Sequence, residues 1–137
     1  MAKNSANNFQ TALYTALTGI SGLGASVYDF VPQNAAYPYV RIGLDTITDD
    51  STKAERGQIL TARLHIWDRA AGSKSIKTIM GKIYEALHMN ESALTITSFE
   101  LVNIFCVYQT FMIESNHDGG DKYYHGIMDF QAQLFEV

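Results

Sequence analysis

The groups in this chain that could do chemistry are four histidines, one cysteine and a pair of adjacent aspartates. His65, His88, His117 and His125 lack the short, regular spacing that metal sites use. His65 and His125 fall in strand-like segments and could meet, but two histidines on a sheet are more often ordinary polar-face residues. Asn116-His117-Asp118-Gly119-Gly120-Asp121 offers carboxylates and glycines, which suggests calcium. It lacks the central glycine and closing glutamate of an EF-hand loop, so a hairpin turn is the better reading. Asp49 and Asp50 lie in a polar stretch where nothing would raise a carboxyl pKa, so they do not form an acid–base pair. Cys106 sits in an apolar strand with no basic neighbour in sequence, and reads as a buried thiol rather than a nucleophile. Gly19-Ile20-Ser21-Gly22-Leu23-Gly24 fits neither the dinucleotide fingerprint nor the P-loop, and it follows a helix rather than a strand. No serine lies in a nucleophile elbow. The tyrosines are scattered without interleaved Arg or Lys, so a stacking platform for nucleic acid is not expected. No catalytic, cofactor-binding or metal-binding residue is assigned.

The totals narrow the class further. The chain has 137 residues and a formal net charge of −4. That length suits one domain, able to bury roughly two-thirds of its unfolded surface. Nearly half the residues are apolar and under a fifth are charged, which is not the composition of a disordered chain. An acidic balance with no Lys/Arg cluster argues against a surface built to grip phosphates. A lone cysteine makes no internal disulfide. No apolar run approaches a membrane span, and the polar start Met1–Asn8 does not read as a signal peptide. Synthesis in the cytoplasm is expected.

The elements follow from periodicity. Leu60, Ala62, Leu64 and Ile66 alternate with Thr61, Arg63, His65 and Trp67, a strand with two different faces. Asp68-Arg69-Ala70-Ala71-Gly72 reads as a turn, with Ser73 as N-cap. Ile76, Ile79, Met80, Ile83, Tyr84 and Leu87 then mark one helical stripe. Earlier in the chain, Phe9, Ala12, Leu13, Ala16, Leu17 and Ile20 mark another, closed by Gly19, Gly22 and Gly24. A short strand is expected at Val27–Val31 and a further strand at Tyr39–Ile47. The polar segment Thr48–Gln58 joins two strands and is longer than a hairpin needs. Met89–Ser98 is an irregular link or a short strand, with Leu94 and Ile96 tucked inward. Phe99–Ile113 and Tyr123–Phe135 are the last strands. The order is helix, three strands, helix, two strands. This predicts a single-domain α+β fold, mainly antiparallel, with both helices on one sheet face. Residues 1–8 are expected to be a flexible arm and 9–137 the domain.

Phe99–Ile113 is apolar on both sides. Strict alternation puts Val102, Ile104, Cys106 and Tyr108 on one side, and Leu101, Phe105, Val107 and Phe111 on the other. Trp67 and Phe135 also fall opposite the helix-covered set. Either a loop covers the second face or the chain self-associates there.

Three stretches in order carry a resemblance. They are the helix Phe9-Gln10-Thr11-Ala12-Leu13-Tyr14-Thr15-Ala16-Leu17, then Val27-Tyr28-Asp29-Phe30-Val31-Pro32-Gln33 continuing to Tyr37-Pro38-Tyr39-Val40-Arg41-Ile42-Gly43, and then Leu64-His65-Ile66-Trp67-Asp68-Arg69 with Gly72 and the helix behind it. Together they resemble the tail-completion proteins of long-tailed phages, prophages and gene transfer agents, also called tail terminators or head–tail joining proteins. The resemblance runs from about Phe9 to Phe135.

It implies a structural protein and not an enzyme. Such proteins form a ring, typically a hexamer, on the head-proximal end of the tail tube, where the ring stops polymerisation and offers a surface to the head connector. The implied partners are further copies of the chain, the tail tube protein and a head-completion or connector protein. DNA passes through the lumen without specific binding, and no membrane is involved. The implied location is the virion, at the head-proximal end of the tail, after synthesis in the bacterial host cytoplasm. A head-completion or connector component is the alternative within virion proteins, and a small ligand-binding or enzymatic α+β domain the alternative outside them. The resemblance supplies no binding residues. Position alone suggests Asp49, Asp50, Lys53, Glu55 and Arg56 in the polar segment, with Trp67 and Phe105, as interface residues.

Overall fold

A computed structural model describes residues 3–70, 72–114 and 122–137, and for Leu44 and Asp45 the backbone alone. The turn expected at Asn116–Asp121, with His117, lies outside the described residues. The elements run α1 (Ala6–Thr18), β1 (Ser26–Tyr28), β2 (Tyr39–Asp49), β3 (Gly57–Ala70), α2 (Lys74–Leu87), β4 (Phe99–Glu114) and β5 (Lys122–Glu136). This is the α+β order read from the periodicities. The strands form one sheet in the order β1-β2-β3-β5-β4, antiparallel except for β1 against β2.

Both helices lie on one face because each has a single apolar stripe to bury. Phe9, Ala12, Leu13 and Leu17 of α1 are buried, as are Ile76, Ile79, Met80, Ile83 and Leu87 of α2. They join one core with Leu60, Ala62, Leu64 and Ile66 of β3 and with Tyr124, Met128, Phe130, Ala132 and Leu134 of β5. Gly126 stands in that β5 row because α2 approaches closely there. A Cβ on it would lie 2.6 Å from Met80 Sδ. Leu94 and Ile96 are buried beneath the irregular link, as expected.

Several boundaries differ from the sequence reading. α1 starts at Ala6, so the last residues of the expected arm are helical. Ser5 is fully buried, its hydroxyl donates to Gln58 Oε1, and Gln58 Nε2 donates to Lys3 O at 2.8 Å. β3 runs through the expected turn to Ala70, because Asp68, Arg69 and Ala70 find partners in Tyr124, Tyr123 and Lys122. Ser73 occupies the N-cap position of α2 without a side-chain hydrogen bond. The polar segment is mostly strand at its two ends, and the connection proper is only Asp50–Arg56.

The largest correction concerns β4. Its register against β5 shifts between Leu101 and Asn103 and again between Cys106 and Tyr108. Each bulge adds a residue and inverts the alternation. Leu101, Ile104, Cys106 and Phe111 therefore share the helix-covered side, opposite Leu134, Ala132, Phe130 and Gly126. Phe105, Tyr108 and Met112 share the open side, opposite Gln131, Asp129 and His125.

Candidate assembly interface

The open face of the sheet is polar at its centre. Arg63 and Asp129 face each other across β3 and β5 and form a two-point ion pair at 2.8 and 3.0 Å. Nearby, Asn103 Nδ2 donates to Gln133 Oε1 at 3.0 Å. Towards the end of the sheet remote from the β2–β3 connection the face becomes aromatic. Trp67 stacks on His125 with ring centroids 4.0 Å apart, and Tyr37 packs on both Tyr39 and Tyr123.

His65 and His125 do meet, with Nδ1 of the first 2.8 Å from Nε2 of the second. His125 Nδ1 in turn lies 3.3 Å from Glu114 Oε1. With the carboxylate accepting from His125 Nδ1–H, the neutral pair runs from His65 Nδ1–H to His125 Nε2. Burial holds the His65 pKa down to about 4, helped by the positive charge of Arg41, by His125 and by Arg63, and opposed by Asp129. The pair and Glu114 form a polar-face network. Among the described residues no group of three or more His, Cys, Asp or Glu could hold a metal ion. Cys106 is half-buried, and burial raises its thiol pKa, which leaves it a weak nucleophile.

The seven residues singled out in the sequence fall into three separate places. Asp49, Asp50, Lys53, Glu55 and Arg56 cluster at the β2–β3 tip. There the Thr52 hydroxyl accepts from Glu55 N–H at 3.0 Å, and Asp50 N–H donates to Gly57 O at 2.9 Å. Asp49 accepts from the Ser51 hydroxyl, and Asp50 accepts from Gln133 Nε2, both at 2.7 Å. The two aspartates thus hold the tip in place, while Lys53, Glu55 and Arg56 share a shallow polar groove with Lys3 and Val137. Trp67 stands at the opposite end of the sheet. Phe105 lies between them on the open side of β4, edge-on to His88 at 6.0 Å.

The apolar surface lies on the sheet's edge and not on its centre. Among the described residues no strand pairs with the outer side of β4. The end of α2 closes part of that edge: Met89 N–H donates to Ile104 O at 2.8 Å, and His88 Nδ1 accepts from Cys106 N–H at 3.0 Å. Beyond Cys106 the edge is open, and Val107 and Ile113 there are 55% and 57% exposed. Soluble proteins normally blunt such an edge with Lys, Pro or a covering element. From Val107 to Ile113, β4 carries no charged residue and no proline.

Two further features escaped the sequence reading. A groove of about 520 Å³ lies between α2 and β4, with Met80, Tyr84 and Phe111 as apolar walls. Gly81 leaves room in it, since a Cβ there would touch nothing within 4 Å. Lys77 stands at one end, its Nζ 4.8 Å from the Phe111 ring centroid. Phe30 is the other feature. It lies just past β1, on the opposite edge of the sheet, and is 86% exposed. A Phe ahead of Pro32 in a short loop is a signal visible in the sequence, but no periodicity marks it as exposed.

Comparison with known proteins gives these surfaces a context. The family model of tail completion protein gp17 matches residues 11–134. The chain belongs to that family. Tail completion proteins have a structural role in phage-type tails. A solved chain from the virion of a native gene transfer agent particle has the same fold, with a TM-score of 0.80 over 98% of this chain and 99% of that one, at 22% identity. No curated protein matches the chain.

Proposed function

We propose that the chain forms a ring, typically of six copies, on the head-proximal end of a tail tube, where it ends polymerisation and presents the head-joining surface. Membership of the tail completion family carries this reading. A tube of stacked identical rings always offers the surface that the next ring binds, so growth without a stop is unlimited. A terminating ring matches the tube on one side only. That task needs shape and burial rather than catalytic groups. Several subunits bound together turn a modest interface in each into lasting capture. The exposed edge of β4 supplies apolar area for contacts between copies. Lys53, Glu55 and Arg56 at the β2–β3 tip, with Asp49 and Asp50 holding it, reach the tube or a neighbouring subunit. Trp67 and Phe105 add contact surface on the open face. The acidic chain lets DNA cross the lumen without trapping it.

The test is to add the purified protein to growing tubes of the tail tube protein. The expected result is shorter tubes, each carrying an extra ring at one end. Tubes of unchanged length with bare ends would refute the reading.

A further inference from the structure

We propose that neighbouring copies join head to tail, with Phe30 of one copy seated in the groove between α2 and β4 of the next. The inference rests on the ring reading above and names the contact that builds the ring. Phe30 and the groove lie on opposite edges of one sheet, β1 and β4. A contact between different surfaces on opposite sides of a subunit is heterologous. Repeated with a rotation that closes, it gives a ring.

The two surfaces match in size and chemistry. Phe30 is a large apolar ring held in water, and the groove offers Met80, Tyr84 and Phe111 with the space left by Gly81. A buried aromatic anchor in a pocket is the usual centre of a strong interface. The flanking charges match as well. Asp29 precedes Phe30, and Lys77 stands at one end of the groove; among the described residues neither makes an ion pair. Seating Phe30 brings Asp29 towards Lys77, and Glu85 lies at the groove's other end, away from it. On its β4 side the groove is lined by Gln109, Thr110 and Phe111, which belong to the open part of that edge.

A photoreactive phenylalanine analogue at position 30 of the full chain, supplied to cells lacking the gene, tests this in assembled tails. The expected adduct joins position 30 of one copy to residues 77–85 or 109–111 of another. Adducts to other surfaces of a second copy, or only to a different protein, overturn the contact and leave the ring. If a lysine-reactive cross-linker also finds no copy-to-copy contact in those tails, the ring reading itself fails. Two variants stand beside this test, Phe30→Ser and Gly81→Trp. Both positions have free space around them, and circular dichroism checks their folding. Each is expected to lower the titre of tailed particles about tenfold or more, as loss of a central anchor does. A full titre from folded Phe30→Ser overturns the proposal whatever the adducts show.

Discussion

β5 and β4 pair along almost their whole length, and both are rich in large apolar residues, yet the fold uses them differently. β5 is an inner strand. Its even-numbered residues from Tyr124 to Leu134 are all buried, and its odd-numbered ones all point to the open face. β4 is the edge. Its first part is buried through Phe99, Leu101 and Ile104, and everything from Val107 to Ile113 is exposed or half-exposed. In β5 the apolar residues are accounted for by the fold of one chain. In the second half of β4 they are not. Apolar area kept in water on an unpaired edge is an aggregation hazard, and its presence points to a partner.

Substitutions in the two strands should therefore separate folding from assembly. Phe130→Ala in β5 removes a fully buried ring and should cost about 3–5 kcal/mol of stability, read by denaturant unfolding. Val107→Lys with Ile113→Lys in β4 should change stability by no more than about 0.5 kcal/mol, because both side chains already face water. The same pair should abolish ring contacts, read as lost tail joining. If the lysine pair unfolds the protein, β4 belongs to the core after all. If it assembles normally, the edge is not an interface.

Gly81→Ala sharpens the contrast at the groove between α2 and β4. It removes a helix-interior glycine, and the new methyl meets no neighbour, so the free protein should gain about 0.5–1 kcal/mol in thermal unfolding. A loss would mean that the groove is already filled.

The smallest effect expected is at the histidine pair. The His65 pKa is about 4 when folded, against 6.5 for a free imidazole. Between those values the unfolded chain binds the extra proton, so stability is complete above about pH 6.5 and falls as the pH drops towards 4. His65→Gln should flatten the dependence of melting temperature on pH across that window. An unchanged slope would assign the acid sensitivity to other groups.

The residues explain how far the sequence could be read. Element order, both helical stripes and the inner faces of β3 and β5 were legible, because strict periods of 3.6 and 2 survive wherever one face is buried. The faces of β4 were not. Its two bulges are set by pairing with β5, and no side-chain pattern announces them. β3 passes the expected turn at Asp68 for a similar reason, since partners distant in the chain hold it extended. At the candidate interface, the β2–β3 tip was visible as polar, but the bond from Gln133 to Asp50 was not. The groove needs α2 and β4 brought together, which no local window contains.

The proposed role of this chain is to end a tail tube and join it to a head. Electron microscopy of particles made without its gene tests that most directly. Loss of the proposed ring should leave DNA-filled heads without tails, beside free tubes that are often overlong. Complete, correctly tailed particles in normal numbers would contradict it.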